Sequence, residues 1–598
     1  MSHSKHRPFI ILSAEEALWP DPSRLSYFLN DGCKLYTRKT QWERYNAQTL
    51  SAPLSQPTTF KKVRQEHIDL VPSICKILGT QLNKLHKRNY SSKYWDTLLY
   101  FWVSRFLSAL QDRYQNILGI QDRFKDWESY VLHDQCFQSF DTMEEQLHSI
   151  PESETFNLQI YTQLLKKMGY SFQAKTVNHT LGPTKKAKPK LGIAKAILFW
   201  GLRLLAKIPG RRLFFLVGLD TKIIRSLQGT IAGSYQWFVP TETNAPKCAL
   251  NAEMRHSLFD QIPESDTPFL NIAIEILVEN IPTSLVENFE HYEHYTQKHF
   301  PKNPESIMSS VGLFKDDYSR FWLAQMREKE VPTLGLQHGG GFGIDAINFL
   351  EYIELSIFDR FCTWGWKDSC DPNLDKKVQP LFLSKKILPY QNNPNGKLLY
   401  CNQALPRYLY TLDSILYYFD METYIRWQLR FIDTLTASNK DRFVMRSYSK
   451  DFDWNLHERY VDTYPEIKIE SMGQGLSFPQ SVRESSLVVI DNCQTTMLES
   501  LCMGAPSILF WNPDFVGAEL RPSVQPYFDD LKSAKILHTS PESAAKIINE
   551  IEGHEMEWWQ DRQRQDAVQR FCEVFARQSE NPRQELIDAF DSLRKEAP

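Results

Sequence analysis

The sequence predicts an α/β chain with two doubly wound domains, preceded by an α-rich N-terminal region and followed by a helical tail. Three observations carry this prediction. Short apolar runs alternate with helical stretches over residues 196–375 and again over 376–545, as parallel sheets with crossover helices require. Several of these runs end in polar or glycine-rich turns. Residues 1–180 and 546–598 instead carry apolar side chains mostly at helical spacing. Residues 181–195 form a basic linker between the first two parts, because proline, glycine and repeated like charge all oppose packing.

Composition narrows the function classes. At 598 residues the chain has room for three or four domains. With 42% hydrophobic and 24% charged residues it can build ordinary globular cores. The formal net charge of −3 gives no global basic field, which argues against a nucleic-acid partner. The ten cysteines show no C-x-x-C pair, so a reduced, cytoplasmic enzyme is expected rather than a disulfide framework or zinc knuckle. Residues 1–9 lack the apolar stretch of a secretory signal, and no run approaches a bilayer span. Apolar runs Ala196–Leu202 and Leu213–Leu219 are separated by Arg203, Lys207, Arg211 and Arg212. Such a pattern suits a buried helix followed by a buried strand. It also suits peripheral contact of residues 185–219 with an anionic membrane, at its inner face.

Taken in order, Trp95–Asp112 and Leu158–Met168 read as helices. Leu213–Gly218 reads as a strand feeding a helix over Lys222–Gln228. Ser306–Val311 is a strand, Asp316–Glu330 a helix with aspartates in its first turn, and Pro332–Leu336 a second strand. Phe361–Trp364 is another strand. In the second domain the strands are Lys397–Cys401, Arg442–Arg446, Leu487–Asp491 and Ser507–Trp511. Leu412–Leu435 and Thr495–Met503 are its helices, and Ala544–Arg594 is helical.

Three constellations can carry chemistry. The first follows the strand ending at Asp491 and includes Asn492, Thr495, Thr496 and Glu499. Thr495 and Thr496 stand where a helix begins, and free amides there bind phosphates. Glu499, about one turn on, is within reach of a ribose diol. The plainer alternative is a capped helix with a solvated acid. The second is Arg446 with Lys450, near the C-terminal end of a strand, where cations can hold a diphosphate. A loop ion pair is the plainer alternative, and Asp451-x-Asp453 is not read as a metal site. The third is Gln337-His338-Gly339-Gly340-Gly341-Phe342-Gly343. Its glycines allow close backbone approach to a ligand, and His338 can move a proton near neutral pH. Glu351 and Glu354, just downstream, can deprotonate an acceptor hydroxyl, although a structural acid is the plainer reading of each. No metal site is expected: His291, His294 and His299 lack a ligand spacing.

The order of these motifs resembles a known family. Gln-His-Gly-Gly-Gly-Phe-Gly (337–343), Glu354 to Asp359 with Thr-Trp-Gly-Trp (363–366), Arg446-Ser-Tyr448 and Val-Ile-Asp-Asn-x-x-Thr-Thr-x-Leu-Glu (489–499) together resemble transferases encoded with bacterial surface-polysaccharide genes. Ala14-Glu-Glu-Ala-Leu-Trp19 and Trp558-Trp559 fit too, so the resemblance covers most of the chain. It implies a GT-B-like fold and a distant similarity to transferases that use CMP-linked keto-acid sugars or CDP-alditols. In those a histidine, a helix-start hydroxyl pair and an acid bind the nucleotide, roles that would fall on His338, Thr495, Thr496 and Glu499. The pair is often serine there; threonine here is a departure.

The resulting expectation is a glycosyltransferase that moves sugar from a nucleotide-activated donor to a surface glycan or lipid-linked acceptor. The nucleotide-sugar is a co-substrate and no further cofactor is expected. Gln337, Gly339, Gly340, Arg446, Lys450, Asp491, Asn492, Thr495, Thr496 and Glu499 would hold the donor; His338, Glu351 and Glu354 are the catalytic candidates. A sugar-nucleotide epimerase of the same architecture and a non-catalytic glycan-binding scaffold are the alternatives.

Overall fold

A computed structural model describes residues 7–593, apart from 46, 178–192, 229–233, 241–245, 260–264, 266, 386 and 473–474. In the helix that begins at Ile193, side chains are described from residue 197. Most of the expected basic linker, 181–195, therefore lies outside the described residues.

The N-terminal region begins with strands rather than helices. β1 (Phe9–Ile11), β2 (Ser26–Phe28) and β3 (Gln48–Thr49) form a small parallel sheet in that order. Strands of two or three residues are too short for alternation to show in sequence, which is why the region reads as helical. Two long helices follow, Pro57–His86 and Ser92–Arg123. The second, 32 residues long, buries side chains on every face, from Trp102 and Phe106 to Arg105, Asp112 and Arg113. A helix buried all round runs through an interior. This one passes between the two larger domains. Arg327 of the first domain donates to Lys93 O and Thr97 Oγ1 at its start. Arg105 pairs with Asp413 of the second at 3.1 Å. β4 (Tyr130–Leu132) and β5 (Gln173–Lys175) pair beside the buried helix Glu154–Lys167.

The first large sheet has six parallel strands: β6 (Arg212–Phe215), β7 (Tyr235–Phe238), β8 (Ser306–Ser309), β9 (Thr333–Leu336), β10 (Arg360–Thr363) and β11 (Val378–Pro380). Their order is β11-β10-β9-β8-β6-β7. The helix Asp317–Glu328 joins β8 to β9, and the Asp316 carboxylate caps it by accepting from Ser319 N. β11 pairs with β10 and so carries this sheet past residue 375, where the sequence reading ended the domain.

The second sheet comprises β12 (Lys397–Cys401), β13 (Phe443–Ser447), β14 (Lys468–Ser471), β15 (Ser485–Ile490), β16 (Ser507–Phe510) and β17 (Leu537–His538), all parallel. Its order is β14-β13-β12-β15-β16-β17. Neighbours run outward from β12 and β15 in opposite directions, so the switch point, where such sheets leave a crevice at their C-terminal edge, falls between these two strands. All six residues of β15 are buried, and the last four, Leu487 to Ile490, are apolar as a central parallel strand requires. The expected helix over Leu412–Leu435 is shorter, Met421–Thr434. Asp420 accepts from Tyr417 N, which turns the chain into the helix only there. Two doubly wound domains facing each other across a cleft make this a GT-B-like α/β fold.

The tail is helical and crosses back. Arg562–Phe575 packs on the second domain's Gln525–Ser533 helix, while Pro582–Ser592 puts Leu586 and Phe590 into the core of the first, with Phe214, Met308 and Leu334. The domains are also joined directly. Arg521 of the second donates to the Glu351 carboxylate at 2.6 Å and to the carbonyls of Asp345 and Asp368. Glu351 is fully buried and also accepts from Gly343 N and Cys370 N. Removing one member of such a buried pair strands the other charge, at a cost of about 3 kcal/mol or more. Glu351→Gln is therefore expected to lower unfolding stability by about 3 kcal/mol, with partial recovery in Glu351→Leu/Arg521→Met. A denaturation midpoint within the scatter of surface substitutions would show that this pair does not hold the domains.

Candidate functional site

At the switch point of the second sheet, β15 ends at Ile490 and the turn 491–494 leads into the helix Thr495–Cys502. Gln494, the residue before this helix, makes no side-chain cap. The first amides of a helix have no partner within it and carry a partial positive charge. Here they open on a cavity of about 400 Å³. Its walls include Cys401, Asn402 and Gln403 at the end of β12, Arg446 to Tyr448 at the end of β13, and Asn492 with Gln494, Thr495 and Thr496 after β15. The first domain closes the other side with Gly340, Phe342, Asp345 and Asn348, and Arg105 comes from the long buried helix.

The glycine loop after β9 meets the helix start across this cavity. Gly340 N donates to Thr495 Oγ1 at 2.9 Å. A Cβ at Gly340 would lie 2.5 Å from Gln494 C and Thr495 N, so only glycine allows this approach. Gly341 and Gly343 adopt φ of +84° and +72°, which explains two more glycines of the run. Gln337 is buried and aligns the loop instead of facing the cavity. Its Oε1 accepts from Trp364 N and Trp366 Nε1, both at 2.8 Å, and its Nε2 donates to Gly339 O.

The structure brings some of the expected site residues together and withdraws others. Asn492, Thr495, Thr496, Gly340 and Arg446 line the cavity. Arg446 is already engaged, by an ion pair to Glu470 and a bond to Leu476 O, so it is not a free phosphate clamp. Lys450 does not line the cavity: it is exposed and pairs with Glu152 of the N-terminal region. Asp453 likewise pairs with Arg407 at 3.5 Å. Asp491 turns inward, accepting from Tyr400 Oη at 2.6 Å and Gln428 Nε2 at 2.8 Å, and burial raises its carboxyl. Glu351 belongs to the interdomain ion pair described above and is a structural acid. Glu499 is one turn along from Thr495 on the same helix, but outside the lining of the cavity. Burial raises it, and the charge of Lys385 opposes that shift.

His338 and Glu354 form a pair at the edge of the glycine loop. His338 Nε2 lies 3.3 Å from Glu354 Oε2, and the ring rests against Phe314 and the cavity-lining Phe342. Glu354 is fully buried with no well-formed hydrogen bond among the described residues. Burial holds its carboxyl above the ordinary value, against the opposing pull of His338. An acid placed this way can orient a histidine ring.

Two cavity acids, Asp345 and Asp413, were missed in sequence; Asp413 pairs with Arg105 and accepts from Leu350 N. Asp345 lines the wall beside Gly340, two residues past the glycine run, where it reads as an ordinary loop acid. Burial pushes it up to about 8, against the Arg521 charge. The motif tryptophans prove to be supports. Trp19 Nε1 donates to Ser13 O, and Trp559 Nε1 to Gly504 O just past the Thr495–Cys502 helix.

A model of the LIC12162 family transferases matches residues 8–590, nearly the whole chain. No curated protein matches the sequence. Among solved structures, Anabaena Alr3699/HepE in complex with UDP and glucose is 10% identical, with a TM-score of 0.31, over 54% of this chain and 89% of that one. S. aureus MnaA with UDP is 11% identical, at a TM-score of 0.36, over 65% and 99%. Acinetobacter baumannii MurG is 10% identical, at 0.31, over 64% and 99%. These likenesses are too remote to bear on function.

The Asp345 environment makes a measurable demand. Its folded carboxyl holds a proton up to about pH 8, whereas the unfolded one, near 3.8, releases it far earlier. The group thus supports the fold at low pH, and this support is lost as pH rises through that window. Asp345→Asn removes the titration. Its stability relative to the parent chain should therefore rise steadily from about pH 4 to about pH 8. Thermal midpoints of both proteins across that range test this; a constant difference would contradict the buried, proton-holding state.

Proposed function

Because this chain belongs to the LIC12162 family of transferases, we propose that it transfers a sugar from a nucleotide-activated donor to a hydroxyl of a glycan or lipid-linked acceptor. One observation carries the reading: an uncapped helix start opens at the sheet switch point into an interdomain cavity. Such a start favours a phosphate twice over, through free amides and through the helix dipole.

In this reading the donor phosphates sit against the amides of Thr495 and Thr496. As the glycosidic bond breaks, negative charge grows on the leaving phosphate oxygen. Amides already pointed at that oxygen stabilise it without reorganising. The Thr495 hydroxyl accepts from Gly340 and can still donate to a phosphate oxygen. The ribose is assigned to Glu499, which shares the Thr495 face of the helix one turn on. His338 takes the acceptor proton, and Glu354 holds its ring. Resemblance puts CMP-linked sugars first among the donors to test, and a surface polysaccharide first among the acceptors.

Thermal shifts with CMP, CDP, UDP and GDP test the donor site. One nucleotide should raise the midpoint, since a ligand at about 100 times its Kd adds about 2.7 kcal/mol. Glu499→Ala should abolish that shift and leave the ligand-free midpoint unchanged. His338→Ala should keep the shift while turnover falls about 100-fold to 10,000-fold. No response to any of the four nucleotides would sink the donor assignment. Turnover of the sugar nucleotide without acceptor would replace transfer by epimerisation.

A further inference from the structure

The helix Ile193–Ala206 reverses the usual order of a surface helix. Its inward side is modest. Phe199 meets the Trp237 ring edge-on, Arg203 Nε donates to Val239 O at 2.8 Å, and Ala206 is buried. These contacts seat it along β7, the edge strand of the first sheet. The outward side is apolar. Ile197, Trp200 and Leu204 are 64%, 61% and 47% exposed, and Ile208 continues the same stripe just past the helix. Leu198 flanks it. Five of the eight large exposed hydrophobic residues among those described fall within this one stretch. Isolated exposed apolar residues are ordinary; a contiguous stripe marks an interaction surface.

Cations gather at one end of the stripe. Lys207, Lys298 and Lys302 are exposed there. Gly210 N donates to Asn303 O, which ties the loop after the helix to the loop that carries Lys302. Lys207 and Lys298 lie close enough for both charges to act on His299. An apolar stripe rimmed by lysines matches a bilayer surface with anionic headgroups: side chains enter the acyl boundary and lysines meet phosphates. A symmetric contact with a second copy would instead bring these lysines toward their own kind. The helix has 14 residues, about 21 Å of rise, and no helix among those described is long and apolar enough to cross a membrane. It can lie in the interface and not span it.

We infer that the outward face of Ile193–Ala206, with Lys207, Lys298 and Lys302 beside it, docks the protein on an anionic lipid surface. This does not rest on the donor assignment.

Co-sedimentation of the full chain with vesicles tests this, using phosphatidylcholine alone and phosphatidylcholine mixed with phosphatidylglycerol. The protein should pellet with the mixed vesicles, less with the neutral ones, and less again at high salt. Ile197→Ser/Trp200→Ser/Leu204→Ser should weaken binding at least about tenfold, since each large apolar side chain withdrawn from water supports about that factor alone. Its thermal midpoint and any nucleotide-induced shift should not change. If that variant folds poorly, Trp200→Ala alone must show the tenfold loss. Lys207→Glu/Lys298→Glu should abolish the preference for mixed over neutral vesicles. The inference is overturned if the parent chain does not pellet with mixed vesicles, or if the serine variant pellets equally. A dimer seen by sedimentation velocity without vesicle binding, and lost in the serine variant, would overturn it in favour of a second copy.

Discussion

The contact between Gly340 and Thr495 sets the geometry of the cleft. Here a backbone amide of the first domain reaches a side-chain hydroxyl of the second, with no room for a Cβ between them. Because the two loops touch, the space beside them becomes a walled cavity rather than an open groove. Several apparently unrelated features serve this contact. Gln337 and the two tryptophans that bond to it fix the root of the glycine loop. Glu351 accepts from Gly343 N at the far end of the loop and from Arg521 across the interface. Trp559 braces the chain just beyond the helix that carries Thr495.

Charge is distributed unevenly around that contact. The buried acids divide into those paired with an arginine, such as Glu351 with Arg521, and those without such a partner, such as Glu354, which faces His338, and Asp345. The paired acids maintain architecture. Asp345 lies two residues past the glycine loop and Glu354 against its His338, and burying a carboxyl without full hydrogen bonding carries a cost in stability. Perturbed carboxyls beside a cavity are what acid–base chemistry employs.

Much of this was legible in the sequence. Strand–helix alternation in the two large domains followed from buried parallel strands such as Leu-Val-Val-Ile, which are apolar throughout. The glycine run and the threonine pair stood out because few physical demands other than close approach and a helix start produce them. Three kinds of information were not legible. Strands of two or three residues, as in the N-terminal sheet and β11, have no period to detect. The partner of a charge comes from distant chain: Lys450 looks like a site cation until Glu152 is placed beside it, and Arg446 until Glu470 is. The side toward which an acid points is likewise tertiary. Glu351 and Glu354 are one turn apart on the same helix, yet one bonds Arg521 and the other faces His338. Asp345, unremarkable in the sequence, reaches the cavity wall.

The long helix Ser92–Arg123 has a mechanical consequence. Near its start it is bonded to Arg327 of one large domain; further along, Arg105 pairs with Asp413 and Asn116 bonds Tyr418 of the other. Such a member acts as a strut. Swinging the halves apart, as clam-like enzymes do, would break these buried polar contacts. Traffic in and out of the cleft must therefore be managed by small excursions of the connecting loops over a rigid frame. Turnover would then be limited by how quickly such a loop yields, and not by the reorientation of whole lobes.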